Sequence, residues 1–128
     1  MARAVLRAEG VRDAVLSIAF VGRDRIRTLN RRHLGHDSET DVIAFALGSG
    51  TAPAGPGGPV VGDVYVCAPV GVGQATRFGS SPADELRRLV VHGVLHVLGY
   101  DHPQGPRRTT SAMWRRQELL LARLGRRR

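Results

Sequence analysis

Apolar residues in this chain fall into short continuous runs and into helical periods, and the two alternate. Residues 15–21, V-L-S-I-A-F-V, form an apolar, branched run of the length of a buried strand, and residues 41–47 and 60–68 read the same way. Residues 2–9 suit a short helix. A second helix runs from Asp24, a candidate N-cap, to about His33, with Ile26, Leu29 and Asn30 along one side. Residues 69–78 suit a third. The next helix has the clearest start: Ser81 to cap it, Pro82 at the first position and Asp84 as a capping-box acid. Its Leu86, Leu89, Val90, Gly93, Val94 and Val97 make a broad apolar surface, which predicts a central helix. A last helix over 110–124 presents Met113, Trp114, Leu120, Leu121 and Leu124 as core anchors. The pattern predicts an α+β fold: a small mixed sheet of three to four strands packed with about four to five helices. Residues 48–60 are rich in glycine and proline, with too little apolar surface to fold alone, and predict a flexible hairpin loop near the cleft.

Composition narrows this picture. At 128 residues the chain is one domain, large enough to bury a core, and 42% of it is hydrophobic. No apolar run approaches the span of a bilayer, and the start of the chain lacks a signal-peptide pattern, so a cytoplasmic location is expected. The one cysteine, Cys67, excludes an intramolecular disulfide and sits in a strand-like run, as a small buried hydrophobe does. The net charge is +8, and every basic residue is arginine. From Arg107 to Arg128 the only acid is Glu118, and a second cluster gathers Arg23, Arg25, Arg27, Arg31 and Arg32 against Asp24. Residues 125–128 read as a basic tail. Arginine forks match phosphate oxygens, and this excess favours a polyanion such as RNA as partner.

The candidate chemistry lies in H-G-V-L-H-V-L-G-Y-D-H, residues 92–102. On a helix, His92 and His96 stand one turn apart on one face. Gly99 can take the positive φ that ends the helix, which lets the chain fold back and carry His102 toward the first two. Three converging neutral imidazoles suit zinc and leave a fourth tetrahedral position open for water. The spacing matches the long form of the zinc peptidase motif, H-E-x-x-H-x-x-G-x-x-H, except that Gly93 replaces the glutamate that acts as general base. A peptidase reading keeps the metal and loses the base. Asp101 is a candidate to orient a ligand histidine or the turn beside the metal.

These residues resemble the H-G-x-L-H-L-x-G-Y-D-H motif of the YbeY family, bacterial metal-dependent endoribonucleases of rRNA maturation and ribosome quality control. Upstream, Leu29-Asn30 and the segment Thr40-Asp41-Val42-Ile43-Ala44-Phe45 are similar to that family's L-N and T-D-V-L-S-F. Gly62-Asp63-Val64 resembles its G-D-I, and Gln74-Ala75 its Q-A. The resemblance runs from about Leu16 to Leu124. It implies a zincin-like metal site on the central helix and following turn, with one Zn2+ on His92, His96 and His102. It also implies single-stranded RNA as substrate, the small-subunit rRNA 3′ end as target, and the ribosomal small subunit or its assembly factors as partners, with no DNA and no membrane.

The chain departs from the family in three places. His33-Leu34 stands where the family has a tyrosine-arginine pair, so the arginine expected to contact the RNA backbone is missing; Arg31, Arg32 and His36 are the candidates to replace it. The stretch after His102 lacks the family's acids. Fourteen residues before the strand at 15–21 cannot hold the strand and helix usual there, so an edge strand is missing or the native start lies upstream of Met1. With Gly93 in place of glutamate the motif supplies no proton acceptor, a need that attack by the RNA's own 2′-hydroxyl would ease. Two rival readings follow: a ribosome-assembly factor with a structural metal, and a zinc hydrolase of small molecules, which predicts a closed apolar pocket.

Overall fold

The computed structural model describes residues 1–47 and 59–125, so most of the predicted loop at 48–60 and all of the tail beyond Gly125 lie outside the described residues. Nine elements follow in order: α1 (Ala2–Ala8), β1 (Ala14–Val21), α2 (Arg23–Leu34), β2 (Val42–Ala46), β3 (Val60–Cys67), α3 (Ala68–Phe78), α4 (Pro82–Val97), a 3₁₀ turn (Gly105–Thr110) and α5 (Ala112–Gly125). The fold is α+β, as the pattern predicts.

The three strands form one mixed sheet in the order β1-β3-β2. β3 runs parallel to β1, with Ala14 opposite Val60 and Val21 opposite Cys67. It runs antiparallel to β2, with Val42 opposite Val66 and Ala46 opposite Gly62. The period of two sorts the side chains between the sheet's faces. Val42, Val64 and Val66 join α1, α4 and α5 in the larger core, while Ile43, Tyr65 and Cys67 meet Ile26 and Leu29 of α2. Cys67 is fully buried and free, the small hydrophobe expected.

α4 starts as its sequence predicts: the Ser81 Oγ accepts the Asp84 N–H at 3.1 Å, and Pro82 holds the first position. Leu89, Val90, Val91, Val94, Leu95 and Val97 are all buried. Each such side chain contributes roughly 1.5–3 kcal/mol on removal from water, so α4 is the centre of the core. Two glycines let it approach the sheet. A Cβ at Gly93 would lie 2.5 Å from the Val64 Cγ1, and one at Gly62 would lie 2.5 Å from the Val97 Cγ1.

Two expectations need correction. α2 is capped at Gly22, not Asp24: the Ile26 N–H already donates to the Gly22 carbonyl at 3.1 Å, which leaves Asp24 inside the first turn. A carboxylate there still favours the positive end of the helix. Trp114 is no core anchor. Met113, Gln117 and Leu120 take the buried side of α5, and Trp114, about 100° further round, is only half-buried.

Candidate metal centre

Three devices bring the histidines together. The 3.6-residue period stacks His92 over His96 on α4. α4 ends at Val97 with Leu98 as its C-cap, and Gly99 takes φ 102°, which reverses the chain. The Asp101 Oδ1 then accepts the backbone N–H of His102 at 2.8 Å and fixes the turn that returns this residue. The Nε2 atoms of His92 and His96 lie 3.1 Å apart, and those of His92 and His102 3.3 Å. His92 is buried, and the other two are half-buried.

The tautomers follow from the opposite ring nitrogens. The Nδ1 of His96 faces the Tyr100 carbonyl at 3.0 Å, and that of His102 faces the Pro103 carbonyl at 3.1 Å. A carbonyl only accepts, so each Nδ1 carries the proton and donates. His92 Nδ1 faces the Gln117 Oε1 at 2.6 Å, while the Gln117 Nε2 donates to the Glu118 Oε2 at 3.0 Å and so fixes the amide's orientation. All three Nε2 atoms therefore aim lone pairs at one another. Lone pairs facing at 3.1–3.3 Å repel unless a cation lies between them. A tetrahedral ion with bonds of about 2.0–2.1 Å to nitrogen sets its ligands about 3.3 Å apart. The donor set fits, and the cluster could hold a metal ion.

Charge state agrees. Burial pushes the His92 imidazolium down to about 4, against the Gln117 hydrogen bond, and His96, Arg108 and His102 push it the same way as burial. His96 is likewise lowered by burial, against its bond to the Tyr100 carbonyl. Neutral imidazoles are the form that ligates. No cysteine or acid joins the three among the described residues, and residues 48–58 and 126–128 contain no His, Cys, Asp or Glu.

Gly93 explains the missing glutamate. Its Cα faces Val64 and Val42 across the helix–sheet contact, so a side chain there would enter the core and not the site. A glutamate there, as in the peptidase motif, would clash with Val64 unless α4 or the sheet shifted.

A cleft of about 520 Å³ opens beside His92, with Phe78, Arg88, Arg108 and Trp114 among its walls. Arg88 is held by Glu85 at 3.0 Å and by both carboxylate oxygens of Glu118 at 3.2 Å. Arg31, Arg32 and His36 do not line this cleft. They are exposed at the end of α2 and in the loop after it, where Arg31 lies 4.0 Å from Asp37. Leu34, at the place of the family arginine, is half exposed. Asn30 donates to the Ser38 carbonyl at 3.0 Å and Gln74 to the Asp41 Oδ2 at 3.3 Å, which gives two motif residues structural work.

Sequence reasoning missed Gln117 and Arg108. Gln117 is 1% exposed; its only signal is a polar residue between Met113 and Leu120 on an apolar stripe. Arg108 lay hidden in a run read only as charge.

A mixed sheet whose central helix and following turn gather three imidazoles, close enough together to hold a metal ion, defines the class of fold and site. Comparison with known proteins gives the family. The family model described as Endoribonuclease YbeY matches residues 1–125. Among proteins named Endoribonuclease YbeY, that of Moorella thermoacetica is 42% identical over 132 residues, covering 98% of this chain and 83% of its own. That of Salinispora tropica is also 42% identical, covering 81% of this chain and 72% of its own. A Thermotoga maritima protein solved in solution superposes with a TM-score of 0.58 at 29% identity, covering 93% of this chain and 72% of that one. The chain belongs to the YbeY endoribonuclease family.

Proposed function

We propose that this chain is a zinc-dependent, single-strand-specific endoribonuclease of rRNA maturation, acting at the 3′ end of the small-subunit rRNA and in ribosome quality control. It works in the cytoplasm as a single domain, with the small subunit or its assembly factors as partners. No helix among the described residues is long and apolar enough to cross a membrane, in keeping with that reading. The observation that carries it is the convergence of three Nε2 lone pairs, each fixed by an acceptor on its Nδ1.

His92, His96 and His102 are the proposed ligands. Zinc bound there supplies Lewis acidity toward a phosphoryl oxygen and lowers the pKa of water toward about 7. The chain's own residues do the rest. Gln117 and the Tyr100 and Pro103 carbonyls keep the imidazoles in the ligating tautomer, and Asp101 holds the turn. Burial of His92 keeps it neutral where an exposed histidine would protonate. Exposed Arg31, Arg32 and His36 contact the RNA backbone outside the cleft. No side chain at position 93 takes a proton, which favours attack by the RNA's own 2′-hydroxyl.

A set of three ligands suits a working metal, since structural zinc sites close with four. The cleft is open and carries charge, unlike the closed apolar pocket of a small-molecule hydrolase. The assembly-factor reading keeps one observation in its favour, Leu34 at the place of the family arginine. Metal analysis paired with cleavage of single-stranded RNA separates the two. His96→Ala is expected to abolish both zinc content and cleavage. Cleavage at full rate in metal-free protein contradicts the proposal, and zinc binding without cleavage in the wild type leaves the assembly factor.

A further inference from the structure

The lining of the cleft beside His92 holds polar atoms that no described residue pairs with. The Arg108 Nε and the Ser80 Oγ are buried and have no hydrogen-bond partner among the described residues, yet both residues line the cleft with His92. Burying such groups unpaired costs about 1–3 kcal/mol each, a cost that a fold retains where a ligand supplies the partner. Arg88, the other arginine of the cleft, is saturated by Glu85 and Glu118, whereas no carboxylate among the described residues lies within ion-pairing distance of Arg108. The Arg108 guanidinium lies over the Trp114 ring, 5.8 Å from its centroid. Phe78, also lining the cleft, is 70% exposed, with the Arg77 guanidinium 5.8 Å from its ring centroid.

Two aromatic rings, a guanidinium with an unpaired buried Nε and a spare hydroxyl are the parts suited to bind one nucleotide. The rings and the guanidinium plane stack a base, and the donors take phosphate or ribose oxygens. A plain anion site would not need Phe78 or Trp114. A protein partner is less suited, since His92, one of the three proposed ligands, lines the cleft and on the endoribonuclease reading the cut strand passes beside it. We propose that Arg108, Trp114, Phe78 and Ser80 form a subsite for the single-stranded RNA nucleotide next to the one cut. This rests on the endoribonuclease reading and adds to it a specificity-determining place built from the end of α3, the loop after it, the 3₁₀ turn and α5.

The test uses a built-in reporter. Trp114 is the only tryptophan in the chain, so its fluorescence reads the cleft directly. A short single-stranded oligoribonucleotide with 2′-O-methyl groups, which cannot be cut through its 2′-oxygens, is titrated into the full chain, zinc-loaded and metal-free. Saturable quenching is expected in both. Arg108→Leu should raise Kd about 10-fold or more and Phe78→Ala about 5-fold or more, and Arg108→Leu should raise KM for a cleavable strand more than it lowers kcat. Zinc content and thermal midpoints of both variants, held near wild type, exclude misfolding. Kd and KM unchanged in both variants overturn the subsite. So does inorganic phosphate that competes as well as the oligonucleotide does, because the cleft then takes an anion and not a nucleotide. The two proposals fail separately. Cleavage without variant effects removes the subsite alone, and variant-sensitive quenching without cleavage in the wild type removes the activity alone.

Discussion

Gln117 fixes which nitrogen of His92 is available, as the Tyr100 and Pro103 carbonyls do for His96 and His102. The Gln117 Oε1 accepts the His92 Nδ1–H, with nitrogen and oxygen 2.6 Å apart, and its amide is kept in that orientation by Glu118, itself held by Arg88. Replacing it with leucine keeps the bulk and removes the acceptor. The buried His92 N–H is then unpaired, at about 1–3 kcal/mol, and the ring is free to move its proton to the nitrogen that must bind metal. Zinc affinity of Gln117→Leu, read by competition with a chromophoric chelator, is expected to fall about 10–100-fold. Imidazole nitrogen chemical shifts of the metal-free protein should show His92 leaving the Nδ1–H form; wild-type affinity with an unchanged tautomer would refute the assignment. The three histidines were legible because spacing alone implies their convergence. Gln117 was not, because it lies 25 residues from His92 and sequence periodicity says nothing about which helix covers which. Asp101 was legible in part: the structure gives it the turn, through the His102 N–H, and none of the hydrogen bonds to the imidazoles.

At the level of elements, the site depends on how closely α4 lies on β3. Gly93 sits where a methyl group would come within 2.5 Å of the Val64 Cγ1, and Val64 is 1% exposed, with nowhere to withdraw. Gly93→Ala is expected to cost about 1–3 kcal/mol by overpacking, measured by urea unfolding, and to weaken zinc binding as α4 lifts. Gly93→Glu should destabilise further and supply no catalytic base, since that position faces the core. A folded Gly93→Glu variant with faster cleavage than wild type would show that the position faces the site. The start of α4 offers a milder test: Ser81→Ala removes the oxygen that accepts the Asp84 N–H and should cost about 1 kcal/mol with zinc affinity unchanged, because the cap lies more than two turns from His92. The apolar runs and the 3.6 period made the three strands and the five α-helices of the described residues visible in the sequence, but not the 3₁₀ turn at Gly105–Thr110. They could not show that Gly93 is a contact, because the same glycine looks like a missing base until Val64 is placed opposite it. They also misplaced Trp114, since a tryptophan beside an apolar stripe reads as part of that stripe.

Across the whole molecule, the centre couples parts of the chain that are far apart in sequence. Glu9 after α1 accepts the Tyr100 hydroxyl at 3.0 Å and pairs with Arg116 of α5, while the Tyr100 carbonyl holds His96. The turn that carries His102 is thus clasped between the first helix and the last, and α5 reaches His92 through Gln117. A metal that fixes three imidazoles should therefore stabilise the cooperative unit and not merely the loop. Anything that binds the folded state alone adds RT ln(1 + [L]/Kd), about 2.7 kcal/mol at a hundredfold excess of free ligand over Kd. Zinc is expected to raise the urea midpoint of the wild type accordingly, and a chelator to return it to the metal-free value. His96→Ala should show no zinc-dependent increment. Glu9→Gln is the informative intermediate: it keeps the Tyr100 contact but weakens the pairing with Arg116, so the metal-free protein should lose stability while the increment from zinc survives. If zinc leaves the wild-type midpoint unmoved at concentrations that saturate a direct binding assay, the ion must bind the unfolded chain equally well. The three histidines would then be a site that the fold does not preorganise, contrary to the fixed tautomers that define it.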